Sequence, residues 1–254
     1  MEEKRMVKVI VDGETYAYPH GTPYRAIAAD FQDRVPWDIL LVNRDGKLCE
    51  LHKRLDRDCS LKMVTAQDKP GIQTYERSAV FLMLKAFYDV AGRENVERIS
   101  VEYSLSSALF ILAQGNFTLD QSLLKRVEER MRDLSALALP IEKQTINTDD
   151  AVELFRQARL IHKAQLLSFR INSHVNVYSL DGFVDYFYGY MVPDTGYVRC
   201  FGLELFENGF VLRLPTQKNP GQLGDFRPSR KVFRELYEST LRSVALNVSN
   251  VAEL

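Results

Sequence analysis

Hydrophobic and polar residues alternate near the start of the chain and predict a small sheet. Val7, Val9 and Val11 alternate with polar neighbours, and the turn pair Asp12-Gly13 leads into a second alternating run, which together predict a β-hairpin. The next elements expected are a short helix begun by Thr22-Pro23 and carrying Ile27, Ala28 and Phe31, a buried strand at 39–42, a polar turn at 43–47 and a last strand at 61–64. This order of elements predicts a β-grasp unit.

A polar stretch with a Pro-Gly pair, residues 67–76, is typical of a linker between two domains. Beyond it, apolar residues recur at helical spacing over residues 77–91, and a strand pair is expected near 98–104 and 108–114. Thr118 to Gln121 has the form of a capping box, so the apolar stripe after it predicts a second helix. Acidic residues in the first turn predict a third helix from Thr148, because the helix dipole favours negative charge there.

After about residue 172 the pattern changes to alternating strands, including residues 183–190, and a last helix is expected near 229–245. We therefore predict an α+β fold. Its parts are a β-grasp domain over residues 1–66, the linker over 67–76, a larger α+β domain over 77–225 and a C-terminal helix over 226–254.

The composition of the chain excludes some functions but does not identify one. The chain has 254 residues, 46% of them hydrophobic, which is enough to bury a core. Its 33 basic and 34 acidic residues leave a net charge of -1, so no global positive field attracts nucleic acid. Three cysteines without a C-x-x-C pair favour a reducing cytoplasm. Neither a signal peptide nor a membrane-length apolar run is visible, so we expect no membrane partner.

The sequence lacks the catalytic motifs of several enzyme classes. The sequence contains no phosphate-binding glycine loop, no serine-hydrolase elbow and no zinc-protease motif. None of the four histidines (His20, His52, His162 and His174) pairs with a cysteine or a second histidine at ligand spacing, so no metal is expected. Basic residues cluster between Arg213 and Arg234, with Asp225 as the one acid. This basic segment could meet phosphate, or it could be a solvated loop and helix start.

The stretch Asp185 to Pro193, DYFYGYMVP, carries four aromatic residues that could stack on a ligand or pack in a core. Together with RSAVFLMLKAFYDV and LPIEKQTINTDDAVELFRQ, it resembles the second domain of threonyl-tRNA synthetases, which is related to the editing domain of the alanyl enzyme. Residues 6–65 resemble the TGS domain, a β-grasp module of those synthetases and of some GTPases. The resemblance implies an α+β editing-type fold for residues 73–215.

In the editing family, H-x-x-x-H on a helix and C-x-x-x-H on a turn converge on a metal or on the mischarged ester. The matching positions here carry Arg77, Phe81, Phe187 and Met191. Neither phenylalanine can ligate, the arginine is permanently protonated, and methionine alone is a soft ligand ill suited to zinc. The frame of the turn is kept, so the resemblance implies that the fold is retained, without catalytic residues, zinc or aminoacyl-tRNA hydrolysis.

The two-domain combination also resembles the front of bacterial uridine kinase-like nucleoside kinases. That resemblance implies a non-catalytic accessory region without a cofactor of its own, joined to a kinase domain that uses ATP and Mg²⁺ and lies outside these residues. Its partners would be that kinase domain and a small ligand, with RNA or tRNA binding through the basic segment as the alternative. The candidate ligand cleft comprises Arg77, Phe81, Tyr186, Phe187, Tyr188, Tyr190 and Met191. The opposing interpretation is that these side chains fill the cleft and only the scaffold survives.

Overall fold

The alternating start of the chain forms the predicted hairpin. Val7, Val9 and Val11 of β1 (Met6–Val11) are buried, and β1 pairs antiparallel with β2 (Glu14–Pro19). Asp12 and Gly13 have φ angles of 51° and 85°, as a tight hairpin turn requires. The structure is a computed structural model that describes residues 5–158, 160–169 and 173–228, together with Phe233 and Glu235.

The N-terminal unit has the strand order β2-β1-β5-β3-β4, with β1 and β5 parallel at its centre. Its other elements are α1 (Tyr24–Phe31), β3 (Ile39–Arg44), β4 (Lys47–Glu50) and β5 (Cys59–Thr65). This is the expected β-grasp arrangement with one extra strand, β4, which begins at the end of the expected polar turn. Thr22 does not cap α1, because its hydroxyl donates to the carbonyl of Pro19 (2.7 Å).

Most of the expected linker, residues 67–76, is the start of a helix. The helix α2 (Lys69–Ala91) has Pro70 in its first turn, where proline is tolerated. Gly71 packs against the preceding strand so closely that a Cβ atom would lie 1.8 Å from the carbonyl oxygen of Thr65. The Pro-Gly pair therefore begins a helix that is tightly joined to the N-terminal unit. The division of the chain into domains remains a prediction.

The larger unit surrounds α2, which is buried along most of its length. One sheet has the order β11-β12-β7-β6, another the order β10-β9-β8, and β13 pairs with β14. Its elements are β6 (Val96–Leu105), β7 (Ala108–Gly115), α3 (Gln121–Ala136), β8 (Glu142–Asn147), α4 (Thr148–Gln157), α5 (Ile161–Ser168), β9 (His174–Leu180), β10 (Phe183–Tyr186), β11 (Gly202–Phe206), β12 (Gly209–Arg213), β13 (Pro215–Thr216) and β14 (Asn219–Leu223). The α+β class is confirmed.

Several local predictions need correction. Asp120, and not Thr118, caps α3, since its carboxylate accepts from the amide of Leu123 (2.7 Å). The expected strand over residues 183–190 ends at Tyr186, because the chain bends through Gly189, whose φ is 107°. The elements β8, α5, β13 and β14 were not predicted.

The predicted C-terminal helix near 229–245 falls outside the described residues, apart from Phe233 and Glu235. The same holds for Arg230, Lys231 and Arg234 of the basic segment. Within the described part of the chain, no helix combines the length and the apolar character that crossing a membrane requires.

Candidate functional site

The four positions that match the editing family converge in space, as packed side chains. Phe81 is fully buried, and its ring centroid lies 5.4 Å from that of Phe187 and 5.6 Å from that of Phe183. Met191 is 1% exposed. Rings and a thioether thus occupy positions at which the resemblance implies ligands in the editing family. Among the described residues, no three His, Cys, Asp or Glu side chains are grouped as metal ligands would be.

Arg77 closes the turn from the helix side. Its Nε donates to the carbonyl of Tyr190 (3.1 Å), and its Nη2 donates to Oγ1 of Thr74 (3.4 Å). The φ of 107° at Gly189 favours glycine, and a Cβ atom there would also lie 2.7 Å from Cζ of Arg77. Burial lowers the pKa of Arg77, yet an arginine stays charged. Arg77 therefore holds the turn through its backbone.

Ser78 is a second tie between α2 and the turn, and it was not singled out from the sequence. Its buried hydroxyl donates to the carbonyl of Thr74 (2.8 Å) and accepts from the amide of Val192 (3.0 Å). Its Oγ also lies 3.8 Å from Sδ of Met191. The turn is thus fixed to α2 at both Tyr190 and Val192.

Glu50 enters the site from strand β4 of the N-terminal unit and is 1% exposed. Its Oε1 accepts from the amide of Met191 (3.0 Å) and from the hydroxyl of Tyr178 (2.8 Å). Its Oε2 accepts from Nζ of Lys143 (2.9 Å). Burial, followed by the Glu50 carboxylate, raises the pKa of Tyr178, so this phenol remains a donor at neutral pH. The sequence offered no signal for this cluster.

The tyrosines of the candidate cleft have separate surroundings. Tyr186 packs edge-on against Phe155 of α4, with ring centroids 5.8 Å apart, and against Tyr188 at 6.1 Å. Tyr188 is 58% exposed. Tyr190 takes part through its carbonyl. The seven candidate residues therefore combine buried, half-buried and exposed side chains, and ligand binding by them stays a prediction.

Asp185, the first residue of the DYFYGYMVP stretch, is a buried anchor. Its carboxylate forms an ion pair with Lys163 of α5 and accepts from the amide of Tyr186 (2.7 Å). Burial raises the pKa of Asp185, while the Lys163 ammonium acts in the opposite direction. Thr195 completes the frame, because its hydroxyl donates to the carbonyl of Leu134 (2.5 Å) and accepts from the amide of Leu139 (2.8 Å).

In the described part of the basic segment, one basic side chain is half-buried and the others are exposed. Arg213 pairs with Glu204 (3.4 Å between Nη1 and Oε2) and donates from Nη2 to the carbonyl of Gly224 (3.2 Å). Lys218 and Arg227 are exposed. The described part of this segment thus offers two exposed cations, of which Arg227 lies 3.8 Å from the carboxylate of Asp225 (Nη2 to Oδ2). Phosphate binding there stays a prediction.

Comparison with known proteins gives one consistent result. No protein-family model matches the chain. The chain is 28% identical over 218 residues to the threonine–tRNA ligase of Thermotoga neapolitana, a match that covers 84% of this chain and 32% of the ligase. The chain is threonyl-tRNA synthetase-like. The ligase of Halorhodospira halophila is 25% identical over 193 residues (76% of this chain, 30% of the ligase), and that of Thermotoga maritima is 28% identical over 212 residues (82% and 32%).

The synthetase-like chain spans about a third of the length of the curated relatives it matches. These matches cover most of the chain and support the synthetase part of the sequence-based interpretation. They show similarity to one part of the ligases, and the activity of the whole protein is a matter for proposal. The TGS and nucleoside-kinase parts of the interpretation stay predictions.

Proposed function

We propose that this chain is a non-catalytic module of the threonyl-tRNA synthetase type, in which the editing site has become part of the hydrophobic core. The observation that carries the proposal is the burial of Phe81 and Met191, at two of the four family positions. Ester hydrolysis needs a nucleophile or general base beside space for the substrate. Phenylalanine and methionine supply neither, and Arg77 is engaged with the turn.

We expect the purified chain to hydrolyse mischarged aminoacyl-tRNA no faster than buffer does, and to contain far less than one zinc per chain. The measurement is release of the amino acid from radiolabelled mischarged tRNA, combined with elemental analysis. A threonine–tRNA ligase that carries all four family residues serves as the positive control. Hydrolysis that persists through purification, or a full equivalent of zinc, would contradict the proposal.

We further propose that the module binds RNA through phosphate contacts of the basic segment between Arg213 and Arg234. The similarity to enzymes named as tRNA ligases supports this choice of partner. Because the net charge is -1, binding has to come from a local patch and not from a global field. Lys218 and Arg227 are the exposed cations that the described part of this segment offers.

For RNA binding we expect a logarithmic salt dependence with a slope of about −0.7 to −0.9 per phosphate contacted. Replacing both Lys218 and Arg227 with glutamine should weaken tRNA binding and reduce the slope by about 1.5. The matched control replaces two exposed lysines elsewhere, Lys47 and Lys125, with glutamine and should leave the slope unchanged. Fluorescence anisotropy with labelled tRNA measures both quantities. Absence of binding at low salt would remove the RNA proposal.

A second candidate is an accessory region of a uridine or nucleoside kinase-like protein, with a TGS-type N-terminal domain. The features that favour it are the tyrosine-rich turn without ligands and the sequences FVLRLP and KVFRELYESTLRSVALNVSNVAEL that follow. In this candidate the partner is the chain's own kinase domain in the cytoplasm, that domain uses ATP and Mg²⁺, and the turn holds a small ligand. A phosphate-binding glycine loop encoded after Leu254 would support it, and a synthetase catalytic core there would refute it.

A further inference from the structure

The carboxylate of Glu50 belongs to the N-terminal unit, yet its three hydrogen-bond donors belong to the larger unit. Lys143 comes from β8, Tyr178 from β9, and the third donor is the backbone amide of Met191 in the turn. Glu50 is separated from these donors by 93, 128 and 141 positions in the sequence. The contact therefore exists only because the two units are docked.

The three donors are arranged as a receptor for a carboxylate. Two donate to Oε1, from the Met191 amide at 3.0 Å and from the Tyr178 hydroxyl at 2.8 Å, and the Lys143 ammonium donates to Oε2 at 2.9 Å. The Tyr178 hydroxyl has a second acceptor within reach, the carbonyl of Gly189 at 2.9 Å, and Nε2 of His52 lies 3.9 Å from Oε2. The ammonium also lies 5.3 Å from the centroid of the Tyr178 ring. Charge-assisted bonds of this kind are about twice as strong as neutral ones, and here they are shielded from water.

We propose that Lys143, Tyr178 and the amide of Met191 form a carboxylate-binding site, which the chain's own Glu50 fills while the N-terminal unit is docked. The geometry favours a carboxylate over a phosphate. The three donors, one of which is the Lys143 cation, satisfy two oxygens and a single negative charge. A phosphate would bury further oxygens without donors. A free carboxylate reaches the site only when Glu50 leaves it. This inference holds whether or not the chain binds RNA.

The test is chemical rescue of Glu50→Ala in the full chain. Truncation removes the carboxylate and leaves the Met191 amide and the Lys143 ammonium without this acceptor, beside a space that formate or acetate fits. The Tyr178 hydroxyl keeps the carbonyl of Gly189 as an acceptor until a carboxylate binds. At about ten times its dissociation constant, formate should raise the midpoint of thermal unfolding of the variant by about 3 °C. The rise in the unfolding midpoint should level off as the formate concentration increases, and chloride at equal ionic strength should not produce it. The wild-type protein should show no saturable rise, because Glu50 already occupies the site.

Glu128→Ala is the matched control. Glu128 also accepts from a backbone amide (Leu203, 2.8 Å) and from a cation (Arg132, 2.5 Å), but its side chain is 25% exposed, against 1% for Glu50. It should show no saturable formate effect. Adding Lys143→Met to Glu50→Ala should abolish the rescue, and butyrate, which is too long for the space, should fail where formate and acetate succeed.

The proposal is overturned if formate and chloride act alike on folded Glu50→Ala, or if Glu128→Ala responds equally. Should Glu50→Ala not stay folded in chloride, its refolding yield is compared in formate and chloride of equal ionic strength. A higher yield in formate supports the site, and equal yields overturn it.

Discussion

Replacing Phe81 with histidine, the residue that the editing family has at this position, is expected to lower the free energy of unfolding by about 3 kcal/mol. The Phe81 side chain is fully buried and packs against the rings of Phe183 and Phe187. An imidazole there loses apolar contacts and buries ring nitrogens that have no partner in this cluster of rings. We also expect no gain of zinc, because the other three family positions still carry Arg77, Phe187 and Met191, which supply no zinc ligand set.

Urea denaturation of wild-type protein and variant measures the effect. The control is Tyr188→His, which also places a histidine at an aromatic position, in the DYFYGYMVP turn, but one that is 58% exposed. We expect a change within about 0.5 kcal/mol for it. If Phe81→His were as stable as the control, or bound zinc stoichiometrically, the position would be an open site. The proposal that the former site is now core would then fail.

Replacing Lys163 with methionine is expected to cost about 3 kcal/mol, because it removes the paired ammonium of a buried carboxylate and leaves Arg93 as the remaining nearby cation. The side chain of Asp185 is 2% exposed, whereas that of Lys163 is 23% exposed. Replacing the other partner of the ion pair, with Asp185→Asn, should cost less, since the lysine left behind can turn its ammonium towards water. The two variants thus remove the same ion pair with unequal results, and combining them should be less harmful than Lys163→Met alone.

The Lys163→Met variant should also acquire a specific pH dependence. Burial already raises the pKa of Asp185 above the ordinary 3.8, and removing the ammonium should raise it further. With the pKa in the folded state above that in the unfolded state, the unfolded state loses its proton first as pH rises. The loss of stability of the variant relative to the wild type should therefore be smallest below the ordinary aspartate pKa, and it should grow as pH rises towards the folded-state pKa of the variant. Equilibrium unfolding over a pH series checks this. A deficit that does not change with pH, or an equal cost for Asp185→Asn, would contradict it.

The DYFYGYMVP turn is held in place from several sides of the fold. Arg77 and Ser78 hold its backbone from α2, Lys163 holds Asp185 from α5, and Glu50 holds Met191 from the N-terminal unit. A turn fixed in this way suits a structural or docking role better than a site that must admit a substrate. This agrees with the proposal of a non-catalytic module.

The periodicity of the chain predicted most helices and strands correctly, because a half-buried element repeats its apolar residues at its own geometric period. The errors lie where side chains interact across the fold. The Pro-Gly pair looked like a linker, but the close packing of Gly71 against Thr65 makes it the start of α2. The strand expected over 183–190 ended at Tyr186, because the chain bends at Gly189, and the carbonyl of the next residue, Tyr190, accepts from Arg77 of α2.

The sequence by itself determined that Phe81, Phe187 and Arg77 cannot ligate a metal, since that is a property of each side chain alone, and the loss of editing ligands is what the resemblance implies at these positions. Only the tertiary structure decided what replaced them. In the sequence, Glu50, Lys143 and Tyr178 look like separate surface charges and a strand tyrosine, because nothing local distinguishes a charge that will be buried. A carboxylate is stable in the interior only where distant donors converge on it, and that convergence depends on how the two units pack.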